Sequence, residues 1–370
     1  MKALVVGGSQ FNGFALVQEL VRRGHDVTVL NRGRTEAPFP DGVTRITADR
    51  TDRDRMAEVL AGTEYDCVLD MCAYHPEDVE VMVELLRDRV GHYVFVSSTV
   101  IYARASILPI TEESAVDRSD AQIEYGLHKL LCEDRLLAEF AASGFPATTV
   151  ALSMVMGPRN IVPDREQRMF VRLLRRRPVL LLGRGRALGQ IGDVDDQAAA
   201  LCDVMGQPVT FGQRYNLTGG QYFTDEGYVD VFSAVVGAEV DKVFVSADVV
   251  DDVWHGRLEL GLGRPTGAHI DIRTTAAEQR MQEMAIRQRY QLANLVQKLA
   301  PHLHHWDDSV VFGIDKLARD VGWRPRRTFR ETVEKSYEWF MREGVADRVT
   351  FDFAFEDELL GHTKERERHG

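Results

Sequence analysis

Short apolar runs alternate with amphipathic stretches through the first half of the chain. Residues 3–6, 27–30, 44–47, 67–71, 93–97 and 147–152 read as strands. Residues 13–23 and 53–60 carry helical spacing between them. Residues 121–142 read as one long helix, with Leu127, Leu130, Leu131, Leu137 and Phe140 as its apolar side. Continuous Val/Leu/Ile strands joined by helices predict a parallel sheet covered on both faces. The fold class is therefore α/β, a Rossmann-type doubly wound sheet with a smaller C-terminal α/β lobe.

After residue 155 the pattern loosens. Helices are expected at 166–176, 224–236, 275–299, 312–321 and 329–342, and strands at 179–182, 213–217 and 243–245. We divide the chain into a nucleotide-binding domain at 1–155, its sheet completed by parts of 179–220. A mainly substrate-binding lobe follows at 156–350, then a tail at 351–370 whose end, HTKERERHG, reads as solvated. There is no internal repeat.

The formal net charge of −12 opposes nucleic acid as the main partner, because a phosphate backbone calls for a basic face. Cys67, Cys72, Cys132 and Cys202 form no CxxC pair, which suits a reduced, cytoplasmic setting. The opening apolar stretch runs at once into glycines and reads as a buried strand rather than a secretory segment. No apolar run approaches the roughly 20 residues that span a bilayer.

Chemistry enters with VVGGSQFNGFALVQEL, which places Gly7, Gly8 and Gly13 between a strand and a helix. A dinucleotide site needs a tight turn, close backbone approach and free N–H groups at a helix start. Gly7, Gly8, Ser9, Gln10, Phe11, Asn12 and Gly13 are thus candidate cofactor contacts; the plain alternative is an ordinary strand-to-helix turn. The second strand ends in Asn31, Arg32, Gly33 and Arg34. An acidic residue there would hold the ribose of NAD, whereas arginine suits a 2′-phosphate. NADP is accordingly favoured over NAD, with Arg32 stacking on adenine as the alternative. Asp49 and Arg50 follow the third strand; Asp49 either accepts from the adenine amino group or caps the next helix.

Tyr125 and Lys129 in YGLHK lie four apart, on one helix face. Ser97 and Ser98 end the strand YVFVSS. Oxidising a carbinol needs a base, and a tyrosine of ordinary pKa ~10 is too little ionised unless a cation favours phenolate. Lys129 supplies that cation, and Ser98 can bridge the substrate oxygen.

These motifs resemble the extended short-chain dehydrogenase/reductases of the NAD-dependent epimerase/dehydratase group, over nearly the whole chain. GGSQFNG resembles the family's GxxGxxG, with Gln10 in place of the middle glycine. SSTVIY resembles SSxxVY, and spacing back from Tyr102 selects Ser98. MGPRN (156–160), GDVDD (192–196), YNLTGG (215–220) and DKLARDVGWRP (315–325) resemble later landmarks. The resemblance implies Ser98, Tyr125 and Lys129 as catalytic residues, with Tyr125 and Lys129 also touching cofactor. It places DMCAYHPEDV beside nicotinamide and substrate, so Cys72 and Ala73 become cofactor contacts, and Tyr74 and His75 candidate substrate or acid/base groups. Packing and a helix cap are the plain alternatives.

Family dehydratases carry Asp-Glu after the catalytic Ser/Thr, and decarboxylases carry Glu at the second position. Thr99 and Val100 stand there instead, leaving epimerases and reductases. Met154 replaces the usual nucleotide-binding Asn, and Gly189 an Arg. Arg159, Arg175, Arg176, Arg177, Arg184 and Arg186 remain as possible phosphate ligands, although 175–177 also reads as a solvated helix end. The expected substrate site is Tyr74, His75, Ser98, Thr99, Met154, Arg159 and Arg186. The expected reaction is epimerisation of a phosphate- or nucleotide-bearing sugar through a keto intermediate. An NADPH ketoreductase is the alternative, and a stem-loop RNA-binding relative sharing GGxxFxG and NRG the remote one. PHLHHW (301–306) has no known metal-site spacing, and no metal is expected. A homodimer through helices at the Tyr125/Lys129 face is implied by analogy.

Overall fold

The computed structural model describes residues 1–162, 164–261, 284–295 and 303–369. Its first half winds β1 (Lys2–Val6), α1 (Phe11–Arg22), β2 (Asp26–Asn31), β3 (Thr44–Thr47), α2 (Arg53–Leu60), β4 (Cys67–Asp70), α3 (Pro76–Leu86), β5 (Tyr93–Ser98), α4 (Glu124–Ser143) and β6 (Ala147–Leu152). Each of these strands lies at an expected run. The second half carries β7 (Val155–Met156), α5 (Glu166–Leu174), β8 (Val179–Leu182), β9 (Leu188–Gln190), β10 (Gly192–Asp193), α6 (Val194–Val204), β11 (Arg214–Leu217), β12 (Tyr222–Thr224), α7 (Asp225–Val236), β13 (Lys242–Val245) and α8 (Ala247–Trp254). Then come α9 (Met284–Leu295), α10 (Asp315–Val321), α11 (Phe329–Arg342), α12 (Val345–Arg348) and α13 (Ala354–His369). The rest of the helix expected at 275–299 lies outside the described residues, as do Pro301 and His302.

Seven strands form one parallel sheet in the order β11-β6-β5-β4-β1-β2-β3. Strand β1 lies inside the sheet between β4 and β2, and the order reverses beside it, where doubly wound sheets open a ligand crevice. Buried strands with apolar residues on both faces explain the unbroken runs Ala3–Val6 and Cys67–Leu69. Of the segment expected to complete the sheet, β11 joins it. Strand β8 does not; it pairs with β13 in the smaller lobe. That lobe packs β8 with α5, α7, α8 and α11 around Phe170, Phe232 and Trp254.

Two sequence expectations are corrected. Helix α4 begins at Glu124 and buries Gly126, Lys129, Leu130, Cys132, Glu133, Leu136 and Glu139. Leu127, Leu131, Leu137 and Phe140 are only half-buried. Partnered charges take inward positions instead: buried Glu133 pairs with Arg214 at 2.5 Å, tying α4 to β11.

The tail expected at 351–370 is packed over its first half, whereas Lys364, Glu365, Arg366 and Arg368 of the end read as solvated are exposed on α13. Phe351, Phe353, Phe355 and Leu359 are buried, and α13 follows. Glu356 receives a two-pronged grip from Arg172, Nε to Oε2 and Nη2 to Oε1 both at 2.7 Å. Arg168 adds 3.2 Å to the same carboxylate and 2.6 Å to Asp352 O. Forked arginine–carboxylate pairs are strong and directional, and breaking one leaves a buried charge. Glu356→Gln is expected to lower stability by about 3–5 kcal/mol through the stranded Arg172. Urea denaturation measures it, and an unchanged midpoint would show that the segment does not depend on this pair.

Candidate active site

The loop from β1 into α1 is shaped by exclusion. Gly7 has φ +92°, and a Cβ there would lie 2.8 Å from Cys72 Sγ. A Cβ on Gly13 would lie 2.3 Å from Gly7 O. Only glycines let the helix start come this close to the strand end. Gln10 is the N-cap and is exposed; its side chain caps nothing. Phe11 opens the helix at φ +37°, a strained setting for a bulky residue, and is held there by burial. Asn12 is half-buried, its Oδ1 without a hydrogen-bond partner among the described residues. The loop thus offers backbone N–H groups in a cradle that any side chain at 7 or 13 would fill, and a dinucleotide pyrophosphate fits it.

Asn31 links this loop to the end of β2. Its amide donates to Ser9 Oγ at 2.7 Å, and its Oδ1 accepts from Gly33 N at 2.8 Å. Arg32 and Arg34 are exposed beyond it. Asp49 accepts from Thr51 N at 3.1 Å and Thr51 Oγ1 at 2.8 Å, shaping the turn before α2, whose cap is Asp52.

Arg50 departs from its expected role. Its guanidinium is turned inward, Nη1 to Asp70 Oδ1 at 2.8 Å and Nη2 to Asp70 Oδ2 at 2.9 Å. Nε lies 3.2 Å from Asp78 Oδ1. Fully buried Asp70 also accepts from Tyr93 Oη at 2.6 Å and from the backbone N–H groups of Cys72 and Ala73 at 3.1 and 3.0 Å. Burial opposes ionisation of Asp70, but Arg50's charge and these hydrogen bonds prevail and hold its pKa below the ordinary value. Arg50 braces the loop 71–75 from behind. Sequence reading missed Asp70; its signal was an acid ending the otherwise apolar CVLD.

That braced loop carries three expected residues. Cys72 packs on Gly7, and burial raises its thiol pKa against Arg50's opposing charge. His75 is the N-cap of α3, its backbone N–H donating to Asp78 Oδ2 at 3.1 Å, and its ring lies tilted 4.5 Å from that of His128, which is the cap alternative. Tyr74 lies 5.9 Å from Tyr125, ring to ring; burial, then Tyr125's proximity, raise its pKa.

Lys129 is 2% exposed. Its ammonium donates to Val96 O at 2.7 Å and sits 4.7, 5.0 and 5.8 Å from the ring centres of Phe95, Tyr74 and Tyr125. Ser98 ends β5 and accepts from Val100 N at 3.4 Å, opening a short helical turn over Thr99–Ile101. Thr99 is fully buried. Tyr102 serves structure, donating to Asn216 Oδ1 at 2.7 Å.

The expected substrate residues divide. Met154 is buried in the lobe core. Arg159 is exposed and lies 4.3 Å over the Phe14 ring of α1. The Arg186 side chain is 74% exposed and lies 3.8 Å from Glu226. The GDVDD acids brace the lobe, Asp193 capping α6 and Asp196 accepting from Arg326 N and Arg327 N. Among the described histidines of 301–306, His305 meets Asp307 at 2.5 Å and Asp251 at 3.8 Å.

The glycine cradle and the buried lysine under a helical tyrosine define a class, and residues 3–218 match the model of the NAD dependent epimerase/dehydratase family. The chain belongs to that family. It is 30% identical over 239 residues to the chloroplast stem-loop binding protein of 41 kDa b from Arabidopsis thaliana, 61% of each chain. It is 28% identical over 211 residues to 2′-dehydrokanamycin reductase of Streptomyces kanamyceticus, 55% of this chain and 58% of that one. With UDP-glucose 4-epimerase of Streptomyces lividans it shares 27% over 280 residues, 65% of this chain and 83% of that one. The first two matches thus span about three fifths of those relatives' length. A UDP-glucose 4-epimerase structure from Thermotoga maritima superposes with TM-score 0.67 at 16% identity, over 93% of this chain and 99% of that one, showing the shared fold. No helix of the described residues is long and apolar enough to cross a membrane.

Asp70→Asn is expected to weaken cofactor binding and to destabilise the fold by about 3 kcal/mol or more, since Arg50 stays charged and buried. The sign with pH follows from the lowered pKa of Asp70. Stability from Asp70 is full above the ordinary carboxylate range and is lost as pH falls through its depressed folded value. Acid titration of stability should be shallower in the variant, and identical slopes would remove the ion pair from the account.

Proposed function

We propose that the chain is a nicotinamide-dependent epimerase acting on a sugar or sugar-like alcohol that bears a phosphate or nucleotide. The observation carrying this is the Ser98, Tyr125 and Lys129 set followed by uncharged Thr99 and Val100. A bound nicotinamide would supply the hydride acceptor and donor. Lys129, buried and unable to move its charge into water, favours phenolate at Tyr125. Tyr125 takes the hydroxyl proton and returns it, and Ser98 holds the same oxygen. The keto sugar must turn over inside the pocket before its hydroxyl is restored on the opposite face. Thr99 and Val100 provide neither acid nor base for eliminating water. A homodimer remains part of this reading.

Tyr125→Phe should lower turnover by about 10²–10⁴-fold while leaving cofactor bound. Protein offered UDP-glucose or glucose phosphates should show the absorbance of reduced cofactor; its complete absence across such substrates would end the epimerase reading. The similarity to 2′-dehydrokanamycin reductase favours a second reading, a one-way NADPH ketoreductase. Steady NADPH consumption with a ketone selects it. The similarity to the stem-loop binding protein adds a third outcome, a salt-dependent RNA gel shift without redox activity. The net charge of −12 opposes it.

For the cofactor we propose NADP(H), on exposed Arg32 and Arg34 where an acid would select NAD. Arg32→Ala and Arg34→Ala should each raise KM for NADPH about tenfold or more, the effect of one charged hydrogen bond. KM for NADH should stay level. Equal effects on both would mean that neither arginine reads the 2′-phosphate.

A further inference from the structure

The spacing within PHLHHW offers no metal site by itself, but the fold brings a second segment against it. Asp251 lies in the last turn of α8, and His255 is the C-cap residue four positions on, so the two share a face. His305 meets them from the segment 303–308. One ligand atom from each of Asp251, His255 and His305 lies within 4.8 Å of the others. Two imidazoles and a carboxylate therefore converge from two separate parts of the chain.

His305 is oriented from behind. Its Nδ1 lies 2.5 Å from Asp307 Oδ1, and a carboxylate accepts, so that nitrogen carries the proton. Its backbone N–H donates to Asp308 Oδ2 at 3.0 Å. A neutral ring held in this way turns the lone pair of Nε2 outward, and Nε2 faces Asp251 Oδ1 at 3.8 Å. A lone pair facing a carboxylate oxygen is repulsive unless a proton or a metal cation stands between them. A carboxylate on the far nitrogen is also what fixes the tautomer of metal-bound histidines. Asp251 is held in turn by Trp306 Nε1, which donates to Oδ1 at 2.7 Å. The overlapping group of His305, Asp307 and Asp308 is less suited, because Arg104 grips Asp308 at 2.6 and 2.8 Å.

We propose that Asp251, His255 and His305 bind Zn²⁺, with Asp307 as the positioning residue behind His305 and water as the fourth ligand. Two imidazoles and one carboxylate suit zinc at about 2.0–2.2 Å, whereas Mg²⁺ and Ca²⁺ call for oxygen ligands. Tetrahedral ligands at that range lie about 3.3–3.5 Å apart. The 3.8 Å pair closes to this by a small shift, and rotation of exposed His255 supplies the rest. The metal acts as a staple. Beyond His305 the chain runs to the stretch between Ser98 and Tyr125. Asp308 holds Arg104 there, Ile110 N donates to Val311 O at 2.8 Å, and Gly313 N donates to Ile110 O at 2.8 Å. Zinc at His305 thus ties α8 to the segment joining two of the proposed catalytic residues.

The test is calorimetric titration of the EDTA-stripped full chain with Zn²⁺ alone, near neutral pH. One equivalent should bind. Asp251→Asn, His255→Gln and His305→Gln should each weaken binding by about tenfold or more, and Asp307→Asn by about tenfold. His25→Gln, outside the cluster, should bind as the parent does. Because His255 is exposed, its variant keeps the test decisive if the Asp251 or His305 variant fails to fold. No saturable binding would mean that a proton serves in place of the metal and would overturn the proposal. Equal binding of Mg²⁺, or unchanged binding by His255→Gln, would also overturn it, the latter as an adventitious ion only. Zinc should in addition slow hydrogen exchange at the Ile110 and Gly313 amides; binding without that protection removes the staple. The readouts use no turnover, so they stand apart from the epimerase reading.

Discussion

The buried Arg50–Asp70 pair is the contact on which both halves of the site depend. It joins the turn after β3 to the end of β4 and, through Asp78, to the start of α3. A buried pair of this kind gains little over an apolar pair of equal volume, yet it fixes geometry, because each donor has one place to point. Here the geometry fixed is the path of residues 71–75. Cys72 is pressed on Gly7, and Tyr74 on Tyr125 and Lys129. One ion pair therefore braces the loop that lies between the glycine cradle and helix α4.

The same logic explains how Lys129 can be buried. Among the described residues it has no carboxylate partner; a carbonyl and three aromatic faces surround it. Each such contact is modest in water and stronger once water is excluded. A carboxylate in their place would cancel the charge that the proposed phenolate at Tyr125 calls for. The environment is thus strong enough to hold the ammonium and weak enough to leave its field directed at the phenol.

Most of the sheet and the nucleotide loop were legible in the sequence, because a strand buried on both faces must be continuously apolar and a cradle needs glycine. What escaped were charges that fold inward in pairs. Helix α4 hides Glu133 and Glu139 and leaves leucines half-exposed, inverting a simple apolar stripe. Glu356 lies in a segment whose charged end resembles solvated chain, and its partners Arg168 and Arg172 are 188 and 184 residues away in another helix. Arg50 beside a nucleotide site reads as a ligand until Asp70 is seen behind it. Single-residue polarity cannot reveal such pairing, since the desolvation cost is offset only by a distant partner.

The departures at Met154 and Gly189 fit the same view. Removing an asparagine and an arginine from the usual nucleotide grip subtracts polar anchors from one wall of the pocket. Met154 fills its place with core packing. Helix α5 is held at Arg168 and Arg172 by Glu356, so this wall of the lobe is clamped from the far end of the chain. Under the proposed reading, recognition can change on that wall without altering Ser98, Tyr125 and Lys129, which stand on β5 and α4.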